Sequence, residues 1–166
     1  MKNFKYELQR LNMASVMFAA ILLLFVNVAV WCVVGSPVYT LHFISARVPV
    51  LPLWLYGLLD FFSFALLGVS LGGVLGEKCQ PLELYKYRGG FYFVIGVTLA
   101  YLHHAFFFSC HLFFISFLLA VLQCCCFVIA IANFCEISNV SMISLALGSM
   151  WSLYLMLFSL VCFLFM

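Results

Sequence analysis

Asp60 is the one acidic side chain placed in the middle of a long apolar run, LWLYGLLDFFSFALLGVS. An aspartate at the centre of a membrane helix costs roughly 2.5–3.5 kcal/mol on insertion scales, so it has to face other protein groups or be neutral. Its chemistry is that of a ligand contact or proton site on one reading, and of a buried structural acid on the other. The expectation is a neutral Asp60 facing an internal cavity, with His103, Tyr101 and Ser149 as first partners. The next group with chemical potential is His103-His104, followed by Cys110 and His111. Imidazole and thiolate can hold zinc or haem iron. The spacing matches no established site, and no carboxylate lies nearby in sequence to orient a ring. These side chains are therefore read as pocket-lining or interfacial, and no metal site is expected. Ser-His-Asp patterns, phosphate loops and glycine-rich dinucleotide turns are missing too. The chain is expected to have no catalytic residue and not to be an enzyme.

What must position these groups is set by composition. Of 166 residues, 68% are hydrophobic and 7% charged. Soluble domains carry about 25% charged residues, so this chain cannot cover a water-facing surface. The expected fold is all-α, a single five-helix transmembrane bundle over residues 1–166. Its spans are at about 14–34, 52–75, 91–108, 111–134 and 141–166, since about 20 apolar residues cross a bilayer. Pro52 suits the first turn of the second span, where its missing N–H costs nothing. The stretch GEKCQPLELYKYRGG, from Gly76 to Gly90, reads as a loop, and Ser109-Cys110 as a tight hairpin. The first span is longer than a signal-peptide core and ends without a small-residue cleavage pattern. Among the eight cysteines, Cys32, Cys124, Cys125, Cys126 and Cys162 lie in apolar runs and read as small hydrophobes. A net charge of +2, scattered along span flanks, gives no footprint for nucleic acid.

Two patterns suggest helix faces. Trp54, Gly57, Phe61, Phe64 and Gly68 recur at helical spacing, either as a core stripe or as one wall of a pocket for a flat apolar ligand. Gly68, Gly72 and Gly76, like Gly96 and Ala100, form small-xxx-small ridges that let helices approach closely. They serve packing inside the bundle or between two copies of it.

The segment PLWLYGLLDFFSFALLGVS, with Pro52, Trp54, Gly57, Phe64 and Gly68, resembles the second helix of the tryptophan-rich sensory protein/translocator protein (TspO/MBR) family. LAYLHHAFFF resembles that family's third helix, with Phe107 and Phe108 on its aromatic pair, and LGSMWSLYLM its fifth, with Trp151 as the matching tryptophan. The chain departs from the pattern at Asp60, where the family has a tryptophan. It departs again at Ala100, at His103 and at Leu147-Gly148. The resemblance implies a five-helix cavity binding a porphyrin, haem or a similar flat tetrapyrrole as a ligand; no required cofactor is expected. The implied ligand-binding set is Trp54, Gly57, Asp60, Phe64, Ala100, His103, Phe107 and Trp151, used in sensing or transport. Loss of two tryptophan positions argues against photochemical porphyrin breakdown. The resemblance also implies a homodimer in a lipid bilayer. The rival class is a small transporter subunit or membrane scaffold whose main partner is another protein.

Lysine and arginine are retained on the cytoplasmic side of a membrane. Lys2, Lys5, Arg10, Lys78, Lys86 and Arg88 fall on one side of a five-span chain and Arg47 alone on the other. In a bacterial cell membrane, the expected location, this predicts a cytoplasmic N-terminus and an external C-terminus. A reporter fused after Met166 should then be active only outside the cytoplasm; cytoplasmic activity would reject the orientation or the span count.

Overall fold

The computed structural model describes residues 12–34, 38–77 and 83–166. Six α-helices account for most of them: α1 Met13–Val34, α2 Val38–Ser45, α3 Leu53–Gly76, α4 Glu83–His104, α5 Phe113–Cys135 and α6 Asn139–Phe165. A π-helical turn, Ala105–Ser109, extends α4. Among the described residues, five helices are long and apolar enough to cross a membrane: α1, α3, α4 with its π turn, α5 and α6. The chain is thus an all-α, five-span integral membrane protein. Lys2, Lys5, Arg10 and Lys78 lie outside the described residues. Lys86 and Arg88 sit near the start of α4, at the end of the bundle opposite Arg47.

Three boundaries differ from the sequence expectation. The third span begins at Glu83 rather than Phe91, so the polar loop is shorter than the whole of Gly76–Gly90. Glu83 in the first turn suits the positive end of the helix dipole. Gly89 packs against the Phe134 ring, where a Cβ would come within 2.6 Å of ring carbon. Lys86 also ties this turn to the end of α3, donating to the carbonyls of Leu75 at 3.0 Å and Glu77 at 3.1 Å. The loop after α1 holds the short helix α2, which buries Thr40, Leu41 and Ile44. The hairpin predicted at Ser109-Cys110 runs on through His111, whose φ of 55° makes the turn, and α5 starts at Phe113.

The helices form an open ring. α1 packs on α3, α3 on α6, α6 on α5 and α5 on α4, while α4 barely touches α1. Close approach explains the first of these contacts. A Cβ on Gly68 or Gly72 would fall onto the backbone of Ala20 or Val16, and one on Gly76 would come within 2.8 Å of Asn12. The α3–α6 contact is pinned by hydroxyls: Ser63 donates to the Gly148 carbonyl and Ser70 to the Ser141 carbonyl, each at 2.8 Å. Gly96 makes room for the Phe127 ring of α5, and Ala100 is buried in the core. These glycines are therefore used inside the bundle, the first of the two alternatives that their spacing leaves open.

The core has two lobes. One gathers Leu23, Phe64, Leu67, Phe93, Phe127 and Phe134 among others. The second gathers Tyr56, Phe107, Phe108, Trp151 and Phe158 under Leu41 and Ile44 of α2. Asp60 lies where these lobes meet. Gly68→Leu or Gly72→Leu should cost about 3 kcal/mol or more, because overpacking here meets backbone instead of a movable side chain. The expected observation is a lowered thermal midpoint in detergent. A folded protein that merely changed from dimer to monomer would contradict the assignment.

Candidate functional site

The α3 face that enters the core carries Tyr56, Asp60, Ser63, Leu67 and Ser70. These recur at three or four residues, one side of an α-helix. The face is turned from the aromatic stripe read in the sequence. Trp54 is 70% exposed on the outside of the bundle and Phe61 is also exposed, so only the later members of that stripe, Phe64 and Gly68, are buried. Trp54 is corrected from a cavity wall to a lipid-facing side chain.

Asp60 is 0% exposed and accepts four hydrogen bonds from three other helices. Oδ2 accepts from Asn27 Nδ2 and Trp31 Nε1 of α1, both at 3.0 Å. Oδ1 accepts from Trp151 Nε1 of α6 at 2.9 Å and pairs with His104 Nε2 of α4 at 3.2 Å. A carboxylate has about four lone-pair positions, and all are used. Hydrogen bonds to a charged group contribute about 1.5–3 kcal/mol each. Two of them already match the roughly 2.5–3.5 kcal/mol cost of a mid-span aspartate. The acid is stable in the bilayer because three neighbouring helices solvate it, not because it opens on a cavity.

The proton inventory follows from geometry. His104 Nδ1 lies 2.8 Å from the Ala100 carbonyl oxygen, which can only accept, so Nδ1 carries a proton. One further proton lies between Nε2 and Asp60 Oδ1. Placed on nitrogen it gives an ion pair; placed on oxygen it gives two neutral groups; each arrangement satisfies every donor and acceptor. Either way the pair is neutral as a unit. His103 is bound differently: its Nε2 is 2.9 Å from Ser159 Oγ, and Ser159 donates onward to Leu155 at 2.8 Å. His103 must therefore donate from Nε2, which leaves Nδ1 as a bare acceptor.

The structure thus gathers most of the residues singled out in the sequence. Asp60 and Trp151 bond directly, and Ala100 supplies the carbonyl that sets the His104 tautomer. Phe64 stacks on Tyr101 with ring centroids 5.1 Å apart and meets the His104 ring edge-on. Gly57 leaves space beside Trp31, whose ring would lie 3.9 Å from an added Cβ. His103 and Phe107 stack at 5.6 Å. The expected partners of Asp60 are corrected. His103 serves Ser159, the Tyr101 hydroxyl donates to Leu23 at 3.4 Å, and Ser149 bonds within α6 to Ala146. Asn27, Trp31 and His104 were the residues missed. Asn27 is the one amide of the first apolar run, four residues before Trp31, a spacing that places both on one helix face and could have named them as partners.

Two apolar grooves open to the bilayer on either side of this cage. The larger, about 400 Å³, lies at the seam between α1 and α4, with Phe25, Ala29 and Val33 facing Thr98, Tyr101 and Leu102. The smaller, about 310 Å³, lies between α3 and α6, with Phe62, Leu66, Met150 and Trp151 on its walls. Among the described residues no His, Cys, Asp and Glu side chains cluster as metal ligands, and the described cysteines are all free thiols.

Comparison with protein-family models, curated proteins and solved structures gives no match to this chain. The cage and its grooves therefore speak to function through their own chemistry.

Asp60→Asn tests the cage. An amide presents one acceptor oxygen and one NH₂, so the NH₂ would confront N–H donors at a site where both carboxylate oxygens now accept. Breaking a buried pair by removing one partner typically costs about 3–5 kcal/mol. Asp60→Asn should lower stability by that order in detergent unfolding, in contrast to the harmless exchange a neutral acid in a wet cavity would permit. A loss below about 1 kcal/mol would mean that the four bonds do not form together.

Proposed function

We propose that this integral membrane protein binds a flat apolar molecule dissolved in the bilayer, of the tetrapyrrole class that the family resemblance implies. The observation that carries the reading is the seam between α1 and α4. It is a groove of about 400 Å³ lined almost wholly by apolar atoms, within the roughly 300–1,000 Å³ range of ligand sites. Its polar atoms already have partners: the Thr98 hydroxyl donates to Val94 at 2.9 Å and the Tyr101 hydroxyl to Leu23. The groove therefore favours an apolar ring or chain and offers nothing to a charged one. Acidic edges of a tetrapyrrole would have to project beyond it. The groove spans the later part of α1 and of α4, toward the end of the bundle that also carries Arg47.

The rings of Tyr101, Phe64 and His104 connect this groove in series to Asp60. Trp151, on the wall of the smaller groove, touches Asp60 directly. The interior between α3, α4 and α6, where the sequence resemblance suggested a cavity, is filled by Tyr56, Phe107, Phe108, Trp151 and Phe158, with Tyr56 and Trp151 only 5.0 Å apart. The seam is the more accessible place for a ring, and sensing or transport would follow from its occupation.

Protoporphyrin IX titrated into the purified protein should quench tryptophan fluorescence and shift its own Soret absorption, saturating at one molecule per chain. Ala29→Phe and Thr98→Phe, which fill the seam, should weaken binding at least tenfold, while Leu66→Phe in the smaller groove should leave it unchanged. No saturable signal, or equal affinity in all three variants, would overturn the reading.

A further inference from the structure

The segment between α1 and α3 lies past the ends of both spans yet stays rich in apolar side chains. Its helix α2 turns Thr40, Leu41 and Ile44 inward, and Leu41 and Ile44 join the lobe around Tyr56 and Trp151. The opposite side is not polar. Tyr39 is 84% exposed and Phe43 is 59% exposed, and at four residues apart they share one helix face. Arg47 follows after four more, in the turn where its N–H donates to the Ile44 carbonyl at 2.9 Å, and it is exposed as well. Single exposed apolar residues are ordinary on any protein surface. A helix with apolar side chains on both faces is different, because the bundle beneath it covers only one of them.

Three observations say what covers the other. The first is depth. Thr40 Oγ1 donates to the Phe108 carbonyl at 3.1 Å, and Ser109 beside it donates to the Val34 carbonyl at 2.8 Å. The helix is thus level with the last turns of α1 and α4. The second is residue type. Tyr39, and Trp54 in the first turn of α3, are exposed rings with one polar edge, the side chains that settle at a membrane–water boundary. The third is charge. His42, Arg47 and His111 are exposed at this end, while the described glutamates, Glu77, Glu83 and Glu136, all lie at the opposite one. A layer of lipid phosphates complements that surface. A second copy docked through the same face would instead bring its own cations, with no described acid to meet them.

We propose that α2 is an interfacial foot of the bundle, seated in the boundary between headgroups and acyl chains of one leaflet. The Tyr39 and Phe43 rings enter the top of the acyl layer, and Arg47 reaches back to lipid phosphate, the division of labour of a helix lying on a membrane. The foot also fixes the depth of the seam. Val33, Val34 and Ala105 line that groove beside the bond between Ser109 and Val34, so its upper end opens just below the headgroups. This placement holds whether or not a tetrapyrrole occupies the seam.

The test is the surroundings of an indole placed on the outer face. Phe43→Trp is made on a Trp54→Phe background and reconstituted in phosphatidylcholine vesicles. Its difference from the background alone separates the new ring from Trp31 and Trp151. Lipid brominated near the top of its chains should quench this signal at least twofold more than lipid brominated near the chain ends. Aqueous acrylamide, present on both sides, should quench it at least threefold less than free tryptophan. Tyr39→Trp should report the same. Acrylamide quenching equal to that of free tryptophan would put the face in water and overturn the proposal. Protection from acrylamide with no quenching by either lipid would overturn it too, since protein would then cover the helix. Adding Arg47→Glu should raise acrylamide quenching at least twofold; an unchanged value would overturn the phosphate contact.

Discussion

One carboxylate holds four helices together. Asp60 reaches α1 through Asn27 and Trp31, α4 through His104 and α6 through Trp151. In water such an arrangement would compete with hydration and gain little. In hydrocarbon nothing else can solvate the acid, so the alternative to the cage is an unpaired charge at several kcal/mol. The cage therefore specifies one arrangement of the helices, since any register shift along α3 would pull Asp60 from its donors. Apolar packing in the two lobes supplies contact area but little uniqueness, because leucine and phenylalanine faces fit one another, or lipid, in many ways.

The same logic explains why the ring of helices is open. α1 is held by backbone contact at Gly68 and Gly72 and by its two bonds to Asp60, whereas it meets α4 only weakly. The seam is thus bordered by a helix attached along one edge. A side chain exposed in the seam costs nothing in lipid, so there is no solvent penalty forcing the gap shut.

Much of the fold was legible because hydropathy and length act locally. Five runs of apolar residues announce five spans, and Asp60 stood out through its type alone. The placement of Trp54 failed because a purely aromatic stripe has no reason to face inward in a bilayer, where a tryptophan surface is as comfortable toward lipid as toward protein. The polar stripe Tyr56, Asp60, Ser63 and Ser70 was the better guide to the buried face, since only polar groups have a strong preference there. Choosing His103 over His104 was an error of one residue, about 100° around a helix. The π turn and the short α2 were not readable, because both depend on contacts made across the bundle: Thr40 to the Phe108 carbonyl at 3.1 Å and Ser109 to the Val34 carbonyl at 2.8 Å.

The distribution of donors along the chain bears on biogenesis. Asn27 and Trp31 belong to the first span and Asp60 to the second, so a ribosome delivers two of the four donors to the membrane before the acid itself. When α3 leaves the insertion machinery, α1 is already there with a glycine-matched surface and two N–H groups for Oδ2. The helical hairpin of α1 and α3 can thus carry Asp60 into lipid half-solvated, and His104 and Trp151 complete the shell only as α4 and α6 follow. An order of synthesis that placed α1 last would leave the aspartate to enter the bilayer without a companion.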